Sequence, residues 1–176
     1  MRVFRDTDAL LRWTYAIAEQ PICKVSDAQR AMAGASATDK SADGAMSVHD
    51  QHGQSAMIRS HINGLPPLVR AYAIAMFSWG EERNAALATL DEYMSRETTV
   101  ANIKMRKGLV RRYTDLGRKN RPTHEEIARR VGVHKSTVQR YEADIIDAMD
   151  KLRFQFYWHL DTHFAAAGLI QSQKAA

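Results

Sequence analysis

Between Asn102 and Arg140 the chain carries Lys104, Arg106, Lys107, Arg111, Arg112, Arg118, Lys119, Arg121, Arg129, Arg130, Lys135 and Arg140. Only Asp115, Glu125 and Glu126 oppose them. Twelve cations against three carboxylates put this segment at +9, whereas the whole chain is at +5, so the remainder is acidic. A positive field confined to one segment draws a polyanion to it. A solvated basic face on a helix pair would have the same composition, so the spacing of the neighbouring residues has to decide.

That spacing is found in "RPTHEEIARRVGVHKSTVQRYEADI", residues 121–145. Thr123 followed three residues later by Glu126 is a capping-box pattern and predicts a helix start. The short helix runs to about Val131, with Ile127, Ala128 and Val131 on its inner face. Gly132 suits a left-handed turn, and a second helix begins near His134. Ala128 permits a close crossing, while Ile127, Val133 and Val138 fill the space between the helices. The pattern is that of a helix-turn-helix.

In such an arrangement the second helix offers its leading outward residues to the major groove of DNA. These are His134, Lys135, Ser136, Gln139 and Arg140, with Ala143 at the edge of the set. Arg140 or Lys135 can donate to guanine, and the Gln139 amide matches adenine. Arg118, Lys119, Arg121, Thr123, Arg129 and Arg130 are placed for phosphates, which set register without reading bases.

The run "EEIARRVGVHKSTVQ" resembles the promoter-reading C-terminal domain of bacterial sigma factors, over residues 123 to about 141. The overall plan also resembles the late-gene antiterminators of lambdoid phages, with an early Trp-bearing helix, a middle helical hairpin, and "EADIIDAM" continuing into a long final helix. The zinc-binding cysteines that some such proteins carry are not present. These resemblances imply double-stranded DNA and RNA polymerase as partners and a phage or prophage regulator of transcription.

Other elements must support that module. Residues 6–20 read as a first helix, with Leu10, Leu11, Trp13, Tyr15 and Ile17 apolar and Pro21 at its end. Residues 1–23 therefore form an N-terminal helical part. Residues 24–60 are rich in Ala, Ser, Asp, Gly, Gln and His, and are expected to be a mobile linker or loosely docked loop. Residues 61–98 read as a helical hairpin. Its first helix starts at Pro66 and Pro67, carries Leu68, Tyr72, Ile74, Ala75 and Trp79 on its apolar face, and stops at Gly80. Its second opens with Glu81 and Glu82 and buries Ala86, Leu87, Leu90, Tyr93 and Met94. Residues 99–170 would hold a helix bearing Ile103, Leu109, Val110, Tyr113 and Leu116 with its stop at Gly117, then the helix-turn-helix and the final helix. No segment alternates with period two, so the expected fold class is all-α, with a C-terminal trihelical module and a long last helix.

Along that helix Val138, Tyr141, Ile145, Met149, Leu152, Phe156 and Leu160 keep one stripe facing one way. Phe154, Tyr157 and Trp158 add apolar surface on other sides, which calls for burial on several faces and points to a homodimer. His159 and His163 flank Asp161 at a ligand-like spacing, but without a third ligand they read as partly buried members of an aromatic cluster. His49, His52 and His61 read as loop polarity. No phosphate loop, activated nucleophile or paired-carboxylate motif occurs, so neither catalysis nor a cofactor is expected.

Cys23 is the one cysteine and cannot form an internal disulfide. With no signal sequence and no apolar run of membrane length, a reducing cytoplasm is the expected location, and the resemblances imply the bacterial nucleoid within it. Two other functions fit the same residues: a DNA-packaging or recombination accessory protein, and a protein–protein adaptor that does not bind DNA.

Overall fold

A computed structural model of the chain describes residues 2–19 and 46–171. Among them lie seven α-helices and no strand, the all-α class that the periodicities predict. Pro21, Cys23 and residues 24–45 of the expected linker lie outside the described residues. The fold divides into two compact units, one formed by residues up to His61 together with those from Phe164 onward, the other by Ile62–His163.

In the first unit α1 spans Thr7–Ala18. Asp6 caps it by accepting from Ala9 N at 2.8 Å, and Leu10, Leu11, Tyr15 and Ile17 are buried. Phe4 N donates to Leu169 O at 2.8 Å and Gln171 N donates to Phe4 O at 2.9 Å, so the two ends of this unit are tied by a short parallel bridge.

α2, Val48–Asn63, corrects the linker expectation for its second half. The helix is ordered because its burial runs through satisfied polar groups, which composition undervalues. The Gln54 side chain accepts from Arg2 N at 3.1 Å and donates to Arg2 O at 2.9 Å. The buried Ser55 hydroxyl donates to Thr14 O at 2.8 Å, and Ile58 adds apolar cover. A buried polar group that keeps its hydrogen bonds offsets the cost of losing water.

The second unit holds α3 (Pro67–Phe77), α4 (Glu81–Glu97), α5 (Ile103–Thr114), α6 (His124–Val131) and most of α7 (Lys135–Ala166). Pro67 opens α3 at a position where no amide donor is needed. α3 packs on α4, α4 on α5, and α5 on α6. Tyr72 and Phe77 lie 5.3 and 6.2 Å from the Phe156 ring, centroid to centroid, and Leu90, Met94, Leu109, Ile145 and Met149 complete the buried core of this unit.

Within that core Arg106 donates through Nε to Asp91 Oδ1 at 2.8 Å and through Nη1 to Val100 O at 3.0 Å. Removing one partner of such a buried pair costs about 3–5 kcal/mol, because the other charge is left stranded.

The long stripe on α7 holds, with Val138, Ile145, Met149, Leu152, Phe156 and Leu160 buried and Tyr141 half-buried. Phe154 and Trp158 depart from the burial expected of them: they are 73% and 66% exposed. Each lies two residues past a stripe position, roughly 200° around the helix and so on its far side. Trp79 is corrected as well. α3 ends at Phe77, so Trp79 sits beyond it, past the extended Ser78, 61% exposed, with the Arg118 guanidinium 3.8 Å from its ring centroid.

Candidate nucleic-acid interface

The basic segment is folded around α5, α6 and the first turns of α7. Thr123 caps α6 as its spacing predicts: its hydroxyl accepts from Glu126 N at 3.2 Å, and the Glu126 carboxylate accepts from Thr123 N at 2.8 Å. That return bond holds the Glu126 carboxyl below its ordinary range. Ile127 and Ala128 are buried on the inner side of α6. Gly132 ends the helix in the left-handed region, at φ 77° and ψ 33°, and its N–H donates to Ala128 O at 2.8 Å. A residue with a Cβ is strained there by about 1 kcal/mol, which explains the glycine.

The chain then turns directly into α7. His134 starts that helix: its Nδ1 accepts from Ser136 N at 3.3 Å and lies 2.8 Å from Ser136 Oγ. His134, Ser136, Gln139 and Arg140 are exposed, and Arg140 lies 5.4 Å from the Tyr141 ring centroid. Lys135 is half-exposed and paired with Glu125 of α6. A surface pair of that kind adds little stability and does not hold Lys135 away from an incoming anion.

One carboxylate joins all three helices. Glu142 of α7 accepts from Arg112 Nε of α5 at 2.7 Å, and its other oxygen lies 2.7 Å from His124 Nε2 of α6. Burial alone would raise the Glu142 carboxyl, but the bonds from His124 and Arg112 outweigh it and hold the group below the usual carboxylate range. Arg112 also donates to Pro122 O at 2.7 Å, and Arg121 Nε donates to Arg112 O at 3.0 Å. The angle of α7 to its support is thus set by bonds that sequence spacing does not reveal.

The expected phosphate contacts divide. Arg129, Arg130 and Lys119 are exposed, and no carboxylate among the described residues lies within ion-pair distance of them. Arg121 is half-buried through its bond to Arg112, and Thr123 is exposed with its hydroxyl engaged in the cap. Arg118 is a correction, because its side chain is only 13% exposed. Its Nη2 donates to Met76 O at 3.0 Å and Ser78 O at 3.1 Å, carbonyls left without helical partners at the end of α3. Nearby, Arg83 holds Asp115 at 2.5 Å.

Among the described residues, four of the twelve cations counted in the sequence are therefore matched by carboxylates: Arg106, Arg112, Arg118 and Lys135. The positive field comes from the others. Lys119, Arg121 and Arg130 line a cleft of about 680 Å³ together with Lys104, Lys107 and Arg111 of α5. The last three were visible in the sequence as cations but not as members of a site. Their spacing, three then four along one helix face, was the available signal.

His159 and His163 are both exposed, contrary to the partial burial expected, and the His159 ring lies 5.0 Å from Trp158. Among the described residues no group of three His, Cys, Asp or Glu side chains is disposed to hold a metal ion, and no helix is long and apolar enough to cross a membrane. No protein-family model matches the chain, and no curated protein matches it.

Proposed function

We propose that the chain is a sequence-specific DNA-binding regulator of transcription, in which α5, α6 and the leading turns of α7 act as a trihelical helix-turn-helix. The observation that carries the reading is the left-handed break at Gly132, after which the first turns of α7 are solvent-exposed and rich in donors. Gln139 and Arg140, with His134, Lys135 and Ser136, read base edges in the major groove. Lys119, Arg121, Thr123, Arg129 and Arg130 contact phosphates; Arg118 leaves that set and serves the fold. The protein acts by binding and performs no catalysis.

Its role as a phage or prophage late-gene regulator or antiterminator beside RNA polymerase is the finer part of the proposal, and rests on the resemblance of the overall plan to late-gene antiterminators, beside the sigma-factor resemblance of residues 123–141. The exposed pair Phe154 and Trp158, four residues apart on α7, supports a second copy of the chain as partner, which suits paired half-sites. Selection of duplexes from a random pool, followed by affinity measured across a salt series, tests the reading. A preferred site should emerge, and log affinity should fall against log salt by about 0.9 per phosphate neutralised. An adaptor that does not bind DNA would show no salt-sensitive binding to any duplex.

A further inference from the structure

The cleft between α4, α5, α6 and the loop that follows α5 contains no residue of α7, so it is separate from the exposed turns assigned to base reading. Its volume of about 680 Å³ lies within the range of small-molecule sites. Leu87 and Val110, both buried, contribute apolar floor, and six cations line it: Lys104, Lys107, Arg111, Lys119, Arg121 and Arg130. Among the described residues Glu126 is the one carboxylate that lines it, already engaged by the backbone of Thr123.

α5 shows how selective this arrangement is. Arg106 and Arg112 are matched to Asp91 and Glu142. Lys104, Lys107 and Arg111 share the cleft face of the same helix, and the side chain of none of them has a hydrogen-bond or ion-pair partner among the described residues. Like charges three and four residues apart on a helix repel, so this face is destabilised until an anion is present.

We infer that the cleft is a binding site for an oligophosphate group. Lysine and arginine side chains only donate, so the ligand must be rich in acceptor oxygens. It must also bring several negative charges into a small volume. Consecutive phosphates do so, whereas the carboxylates of an extended peptide alternate between faces and are spaced by a residue rise of about 3.3 Å. Two sources share this chemistry: the backbone of nucleic acid running past the base-reading helix, and a free nucleotide or polyphosphate. Only the first rests on the DNA-binding reading.

Inorganic tripolyphosphate titrated calorimetrically into the full chain at low salt tests the site. The parent should bind it, and K104A/K107A/R111A should weaken binding by roughly tenfold or more, because three charge-assisted contacts are lost. Lys119→Glu, on the loop, should weaken it independently of any change in α5. Q139A/R140A should bind it as the parent does. No binding, binding unchanged in the triple variant and in Lys119→Glu, or tighter binding of a hexaglutamate peptide would overturn the inference.

A labelled duplex then separates the sources. If the cleft takes DNA backbone, tripolyphosphate displaces the duplex and the triple variant shows a shallower salt slope. If it takes a free polyphosphate, both the affinity for the duplex and its salt slope are unchanged in the triple variant. Tripolyphosphate binding without any duplex binding would leave the cleft assignment standing and remove the DNA reading.

Discussion

Gly108 of α5 faces Ile127 of α6 so closely that a Cβ on the glycine would stand 3.0 Å from Ile127 Cγ1 and 3.3 Å from both Cδ1 and Cγ2. Ile127 is itself 2% exposed and cannot swing outward. The contact lies between the two helices that support the leading turns of α7, and it fixes the size of residue 108.

Gly108→Val should therefore destabilise the fold by about 1–3 kcal/mol through overpacking, read as a lower urea midpoint with an unchanged slope. Trimming the opposite side chain should relieve it: Ile127→Ala should cost less in the Gly108→Val background than in the parent. Additive effects of the two substitutions would contradict the packing described.

Glu142 makes stability depend on pH in acid. Folding favours its ionised form, so the stability it supplies is complete above its unfolded pKa, near the ordinary 4.5, and is lost as pH falls through the lower folded value. Unfolding midpoints of the parent should drop across that window, and Glu142→Gln should flatten this part of the profile while lowering stability at neutral pH. A profile of unchanged shape in the variant would show that the Arg112–Glu142–His124 cluster does not bear on folding.

Phe154 and Trp158 give the proposed homodimer a defined surface. Sedimentation equilibrium should show self-association of the parent, and F154S/W158S should shift the protein to monomer with its helical circular-dichroism signal intact. Both residues lie off the buried stripe, so the substitutions leave the core untouched. A monomeric parent at high micromolar concentration would contradict the dimer.

Much of the fold was legible because local chemistry determines it. Pro67 at the start of α3, the Thr123–Glu126 cap of α6, and the positive φ of Gly117, Gly132 and Gly168 all sit where residue type requires them. The apolar stripe of α7 was equally plain, since a straight helix carries its spacing without external help. What stayed hidden depends on residues far apart in the chain. Nothing near Arg106, Arg112 or Arg118 distinguishes them from Arg129, because Asp91, Glu142 and the carbonyls of Met76 and Ser78 are brought to them only by folding. α2 was missed for a related reason. Gln54 and Ser55 look like surface residues until Arg2 and Thr14 meet them. The cleft-lining Lys104, Lys107 and Arg111 become a group only when Lys119, Arg121 and Arg130 close around them.

Base reading by the exposed leading turns of α7 is tested most directly by the affinity of Gln139→Ala, Arg140→Ala and Arg129→Ala for a selected duplex and for random duplex at one salt concentration. Gln139→Ala and Arg140→Ala should each erase about 1–3 kcal/mol of preference for the selected duplex. Arg129→Ala, an exposed cation on α6, should weaken both duplexes equally. If all three variants bind both duplexes as the parent does, α7 does not read DNA and the assignment is wrong.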